Sequence, residues 1–108
     1  MEDKVLSGPE VSFQLVLHAG NSRNYSIEAL RCLMANDAEG AEENMKLAED
    51  ELTASHALEA QLLQRYAGGE KVDMDIFLVH ANDHLTIAIM MQELVNELRP
   101  LIEKVSSI

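Results

Sequence analysis

Apolar side chains along this chain recur every three or four positions, the period of an amphipathic helix. From about residue 10 to residue 35 the stripe reads Phe13, Val16, Gly20, Ile27, Leu30 and Met34, and Leu15, Ala19 and Leu33 widen it. Gly20 costs about 1 kcal/mol against alanine inside a helix, so close approach of another helix is expected there. Asn36 and Asp37 interrupt the pattern: asparagine tolerates the left-handed backbone that ends a helix, and aspartate caps the next one. A second helix is predicted over about 38–66, with its main stripe on Ala41, Met45, Ala48, Leu52, Ser55, Leu62, Leu63 and Tyr66. Leu47, Ala54 and Leu58 form a lesser stripe. The run Ala67-Gly68-Gly69-Glu70-Lys71 is a loop by composition. Asp73 or Asp75 then caps a third helix over about 75–105, which Pro100 kinks or cuts short. Residues 1–9 read as a flexible tail, with Gly8-Pro9 where the first helix can begin. One domain of three long helices with short loops is an all-α, antiparallel three-helix bundle.

Helix 3 carries the sign of assembly. Residues 85–91 read Leu-Thr-Ile-Ala-Ile-Met-Met, nearly two turns in which only Thr86 is polar. A helix apolar on all sides must be buried on all sides, and two neighbours do not surround a third helix. Self-association through helix 3 is therefore expected. Composition agrees with a helical protein: Ala, Leu, Met and Glu abound, with two Phe, two Tyr and no Trp. The 19 acidic and 8 basic residues leave a net charge of −11, which argues against nucleic-acid binding and suits basic protein partners. A single cysteine, Cys32, excludes an internal disulfide and a thiolate zinc site. No apolar run nears the roughly 20 residues of a membrane span, so no direct membrane insertion is expected. The opening Met1-Glu-Asp-Lys is polar, so no leader peptide is expected and the expected compartment is the cytoplasm.

Chemistry concentrates in the first half of helix 3, at His80, Asn82, Asp83 and His84. His80 and Asp83 are three apart and His80 and His84 four apart, so these three share one side of a helix. Three readings compete. The histidines can be ordinary polar residues satisfied by hydrogen bonds. A His-x₃-His pair can hold zinc, given further ligands from Asp83, another helix or another subunit. A neutral imidazole can accept a phosphoryl group through its nitrogen lone pair. Asp83 facing an oligomer axis would repeat its charge in every subunit, which a hard divalent cation such as Mg²⁺ would cancel; an exposed, solubilising Asp83 is the alternative. Outside helix 3, His56, His18 and Cys32 read as packing or surface residues, and the six methionines as core filler. Arg23 could reach an anion, although an exposed ion-pair residue is the commoner case. The acidic run 37–51 reads as a solvated face.

The segment Leu78-Val-His-Ala-Asn-Asp-His-Leu85 resembles the active-site helix of the lactose/cellobiose-type IIA components of the bacterial phosphoenolpyruvate-dependent sugar phosphotransferase system, where the pattern is Val-His-Ala-Gln-Asp-His-Leu. The likeness extends along nearly the whole chain. Ala19-Gly20-Asn21-Ser22-Arg23 is similar to the family's Gly-x-Ala-Arg stretch, with Ser22 for Ala. Asn36-Asp37 stands where Gly-Asp is frequent, and the Ala-Ser-His-Ala of helix 2 resembles the family's Glu-Ala-His segment. Departures are Asn82 for Gln, Asp75 for a capping Ser, and Pro100 near the end of helix 3.

The resemblance implies a homotrimer with helix 3 of each subunit inside. It implies that His80 is the phosphorylated residue and that Asp83 from three subunits holds a metal ion, Mg²⁺, at the axis. It further implies phosphoryl transfer from the phosphocarrier protein HPr to His80 and on to a cysteine of a IIB component. His84 and Asn82 are then candidates to orient His80 or to contact the phosphoryl group. Three other functions fit the pattern. One is a non-enzymatic metal-binding oligomer with His80, Asp83 and His84 as ligands. The others are a histidine-phosphotransfer module of two-component signalling and a plain interaction bundle.

Overall fold

Each helix boundary is written in local side chains. The computed structural model describes residues 6–108, and the first five residues of the predicted tail lie outside the described residues. Helix α1 spans Gly8–Met34. Ser7 and Glu10 cap it reciprocally: the Glu10 amide donates to Ser7 Oγ (3.3 Å) and the Ser7 amide to Glu10 Oε2 (2.9 Å). Residues 6–9 are thus not tail: Arg65 donates to the Leu6 carbonyl at 2.9 Å, and Leu6 packs against the core.

α1 ends in a Schellman motif. Asn36 takes φ 60°, the Asp37 amide donates to the Cys32 carbonyl (2.8 Å) and the Asn36 amide to the Leu33 carbonyl (3.2 Å). Asp37 then caps α2, Ala38–Ala67, by accepting from the Gly40 amide at 2.9 Å. A second such motif closes α2: Gly69 stands at φ 92°, and the Glu70 amide donates to the Arg65 carbonyl at 3.0 Å. Helix α3, Ile76–Ser106, starts at Asp75, whose Oδ1 accepts from the Leu78 amide at 2.8 Å. It runs through Pro100 rather than ending there. Pro100 is exposed, so the Asn96 carbonyl that its ring leaves without a helical donor can be met by water.

α1 is the middle member. α2 and α3 each lie along it and barely touch one another, which gives a flat body of 57 × 30 × 19 Å. α1 and α2 are antiparallel, as are α2 and α3, so α1 and α3 run parallel. Small side chains let the helices approach: Ala19, Ser22, Ser26 and Ala29 on α1, Ala41, Ala48 and Ser55 on α2, Ala81 and Ala88 on α3 are all buried. Ser22 donates to the Ala48 carbonyl at 2.9 Å. Polar ties join α2 to its neighbours, with His18 Nδ1 2.5 Å from Glu51 Oε2 and Arg99 Nη1 2.8 Å from Glu42 Oε2.

The inward face of α1 differs from the expected one. Val11, Leu15, Ala19, Ala29 and Leu33 are its core, while Phe13 (73% exposed) and Met34 (62%) belong to a flanking stripe. On α2 the expected line from Ala41 to Ser55 and Leu62 is buried, but Leu63 and Tyr66 are exposed. Among the described residues nothing lies within 4 Å of where a Gly20 side chain would begin, so none of the three helices makes the close approach expected there. α3 is buried on one side only. Leu78, Ala81, Leu85, Ala88 and Val95 pack inward. Ile76, Ile87, Met90, Leu94, Leu101 and Val105 form an outward apolar stripe, each 49% exposed or more. No helix among the described residues is long and apolar enough to cross a membrane.

Candidate functional site

His80 stands one turn into α3, just past the turn that Asp75 caps. Its side chain is exposed and that of His84, one turn on, is half-buried. The helical repeat brings the two rings together: their Nε2 atoms are 3.1 Å apart. The centroids lie 4.5 Å apart with the planes at 80°. Two ring nitrogens at this distance share one proton, so one Nε2 carries the hydrogen and the other presents its lone pair. The lone pair is that of a neutral imidazole, which is a nucleophile.

His80 also forms one wall of a shallow depression of about 270 Å³. Pro9, Ser12, Phe13 and Val16 of α1 and Phe77 of α3 supply the rest. Phe13 and Phe77 are 73% and 66% exposed, an uncommon state for so large an apolar ring. An exposed nucleophile beside an uncovered apolar surface is what a protein substrate needs: something to react with and something to sit on. The sequence pattern assigned Phe13 to the core and so missed this pair; the signal was Phe77, an aromatic three residues before His80.

The other candidates scatter. Asp83 is exposed on the outward stripe of α3, between Ile76 and Ile87. Asn82 does not join the imidazoles. Two residues on from His80 is 200° around a helix, and Asn82 lines a separate groove of about 430 Å³ with Leu62, Tyr66 and Met74. Its amide donates back to the Leu78 carbonyl at 3.2 Å. Arg23 is exposed and donates to Asn24, not to the imidazoles. Cys32 is half-buried; burial first, then the Asp37 and Glu28 carboxylates, push its thiol pKa up, so it stays protonated and unreactive. His56 is exposed on α2, and His18 is engaged with Glu51.

Residues 10–103 match the family described as the PTS system, lactose/cellobiose specific IIA subunit. The chain belongs to this family. The resemblance carried by the α3 motif is therefore correct, and the protein is a phosphotransferase-system IIA component. Relatives of this IIA chain bear several sugar names. It is 37% identical to the lichenan-specific phosphotransferase enzyme IIA component of Bacillus subtilis over 97 residues, 90% of this chain and 88% of the relative. It is 38% identical to the oligo-beta-mannoside-specific EIIA component of the same organism over 93 residues, 86% of this chain and 84% of the relative. Among solved structures it superposes on the cellobiose-specific enzyme IIA of Bacillus anthracis with a TM-score of 0.90 at 33% identity, covering 96% of this chain and 95% of the other. It also superposes on a IIA(chitobiose) chain solved in complex with HPr, from Escherichia coli, with a TM-score of 0.81 at 28% identity, covering 94% and 99%.

Proposed function

We propose that this IIA component is a cytoplasmic phosphoryl relay in which His80 is the acceptor. The observation that carries the reading is the Nε2–Nε2 contact of 3.1 Å at an exposed imidazole pair, in a chain of this family. In the resting pair His84 donates its Nε2 hydrogen to the Nε2 lone pair of His80, which keeps its own proton on Nδ1; rotation of the exposed His80 ring away from His84 frees that lone pair to face the donor. That lone pair attacks the phosphorus of phosphohistidine on HPr in line; one P–N bond forms as the other breaks. In such loose transition states the protein aligns the groups and stabilises charge. The His84 hydrogen is then free to bond a phosphoryl oxygen. In the second half-reaction a cysteine thiolate of a IIB component attacks the same phosphorus, and His80 leaves with its electron pair. The Phe13–Phe77 depression seats the carrier proteins. HPr as donor is supported by the solved complex of the chitobiose relative. The relatives' names, among them lichenan and oligo-beta-mannoside, support a branch importing a β-linked sugar.

The relay assembles as a homotrimer through α3. The outward stripe from Ile76 to Val105 supports this, because each member is about half exposed or more in the single chain. Asp83 lies on that stripe, and its carboxylate is a hard oxygen donor suited to Mg²⁺. Among the described residues no group of three or more ligating side chains forms within one chain, so Asp83 of three subunits would hold the ion together. Mg²⁺ there would neutralise clustered charge and take no part in the transfer.

The test is intact-mass analysis after incubation with phosphoenolpyruvate, enzyme I and HPr. Native protein should gain one acid-labile phosphoryl group, and His80→Gln none. A native chain that is folded and gains no mass overturns the relay.

A further inference from the structure

We propose that His80 and His84 also form a two-point chelate for Zn²⁺, and that the ion switches the imidazole pair off. The chelate stands on the geometry alone; the switch rests on the relay reading. A tetrahedral zinc with Zn–N bonds of about 2.0–2.1 Å spans its nitrogen pair by roughly 3.3–3.4 Å. The two Nε2 atoms are 3.1 Å apart, a few tenths of an ångström from that span. They already converge, so little side-chain freedom remains to be lost on binding. His80 is exposed, so the ion has a clear approach. To ligate, His84 moves its proton from Nε2 to Nδ1 while both rings stay neutral, and no net proton is released.

Donor chemistry selects the metal. Imidazole nitrogens suit zinc, whereas Mg²⁺ takes oxygen, so Asp83 and the histidine pair draw different ions. No third His, Cys, Asp or Glu completes a cluster among the described residues, which leaves the remaining positions to water. The site is therefore open and reversible rather than structural. The other described histidines do not offer a pair: His18 Nδ1 is on Glu51, and His56 stands exposed on α2. Zinc on Nε2 of His80 occupies the lone pair that would take phosphorus. A phosphoryl group there removes one of the two ligands. The two states exclude each other.

The experiment titrates ZnCl₂ into the chelator-stripped full chain in competition with a chromogenic zinc indicator. Native protein should bind one zinc per chain, and His80→Gln or His84→Gln should each weaken binding about 10–100-fold or more. Circular dichroism verifies that both variants keep native helicity. Native binding no tighter than that of the double variant overturns the chelate. A second arm follows labelling by isolated phospho-HPr. Saturating ZnCl₂ should stop labelling of native protein, EDTA should restore it, and the slower labelling of His84→Gln should be indifferent to zinc. Native labelling that proceeds unchanged with zinc bound overturns the switch. Absence of labelling in metal-free native protein would instead count against the relay, leaving the titration to decide the chelate.

Discussion

His80 and His84 stand four positions apart, and a helix turns that spacing into a 3.1 Å contact between ring nitrogens. The contact was legible in the sequence because helical spacing alone makes i and i+4 neighbours. Asn82, kept beside His84 as a candidate at the sequence level, lies 200° of rotation from His80 and lines another groove. What spacing does not record is which apolar residues stay uncovered. Phe13 repeats in register with Val16, Leu30 and Met34, a stripe that flanks the buried face of α1, and it stands 73% exposed beside His80. Removing it should therefore divide function from stability. Phe13→Ser is expected to change unfolding free energy by about 0.5 kcal/mol or less, as surface substitutions do. It should raise the KM for phospho-HPr about tenfold with little change in kcat, the loss of a contact worth over 1 kcal/mol at an interface. Urea unfolding and a KM-against-kcat comparison check the two halves. An unchanged KM would remove the depression from the docking surface.

Most helix ends were readable for the same local reason: Asp37 and Asp75 each cap the helix that follows, and Asn36 takes left-handed backbone where α1 stops, whereas the Ser7 cap lies in the stretch that reads as tail. The inward face of α1 was not, because it carries two apolar stripes side by side and only the packing of α2 and α3 chooses between them. Gly40 shows how strongly a cap is built. A side chain there would begin 2.2 Å from Asp37 Oδ2, the carboxylate that accepts the Gly40 amide. Gly→Ala in a helix normally gains about 1 kcal/mol, but losing this cap costs about 0.5–2 kcal/mol. Gly40→Ala should thus bring no net stability, and a clear gain in urea midpoint would show that Asp37 is not needed. The α2–α3 loop has its own tie. The Arg65 hydrogen bond, against a smaller opposing effect of burial, holds the Glu70 carboxyl below its ordinary 4.5. Because the folded value is the lower one, this contribution is present above the unfolded value and is lost as pH falls through the folded one. The Tm difference between native protein and Glu70→Gln should be constant at neutral pH and shrink only below about 4.5. A difference that vanishes already near pH 6 would rule out Glu70 as its source.

A single copy of this molecule is flat, and one whole side of α3 faces outward with apolar residues. Such a stripe costs free energy in water at roughly 25 cal/mol per Å² of apolar surface, so association is the expected response. Asp83 is the one carboxylate on the stripe between Ile76 and Leu94, and symmetry would bring its copies together. Two substitutions on the same face should therefore act in opposite directions. Leu94→Glu, at a position half exposed in the single chain, would place three further charges against one another at the centre of the assembly. Asp83→Leu would remove charge from that centre and add apolar surface, so the trimer should hold or tighten without Mg²⁺. Sedimentation equilibrium reads both. Native protein should weigh three times the 12.0 kDa chain, Leu94→Glu one chain, and Asp83→Leu three with or without EDTA. A monomeric native protein would leave the outward stripe to another partner. A folded but monomeric Asp83→Leu would mean that the carboxylates and their ion, rather than the apolar stripe, hold the subunits together.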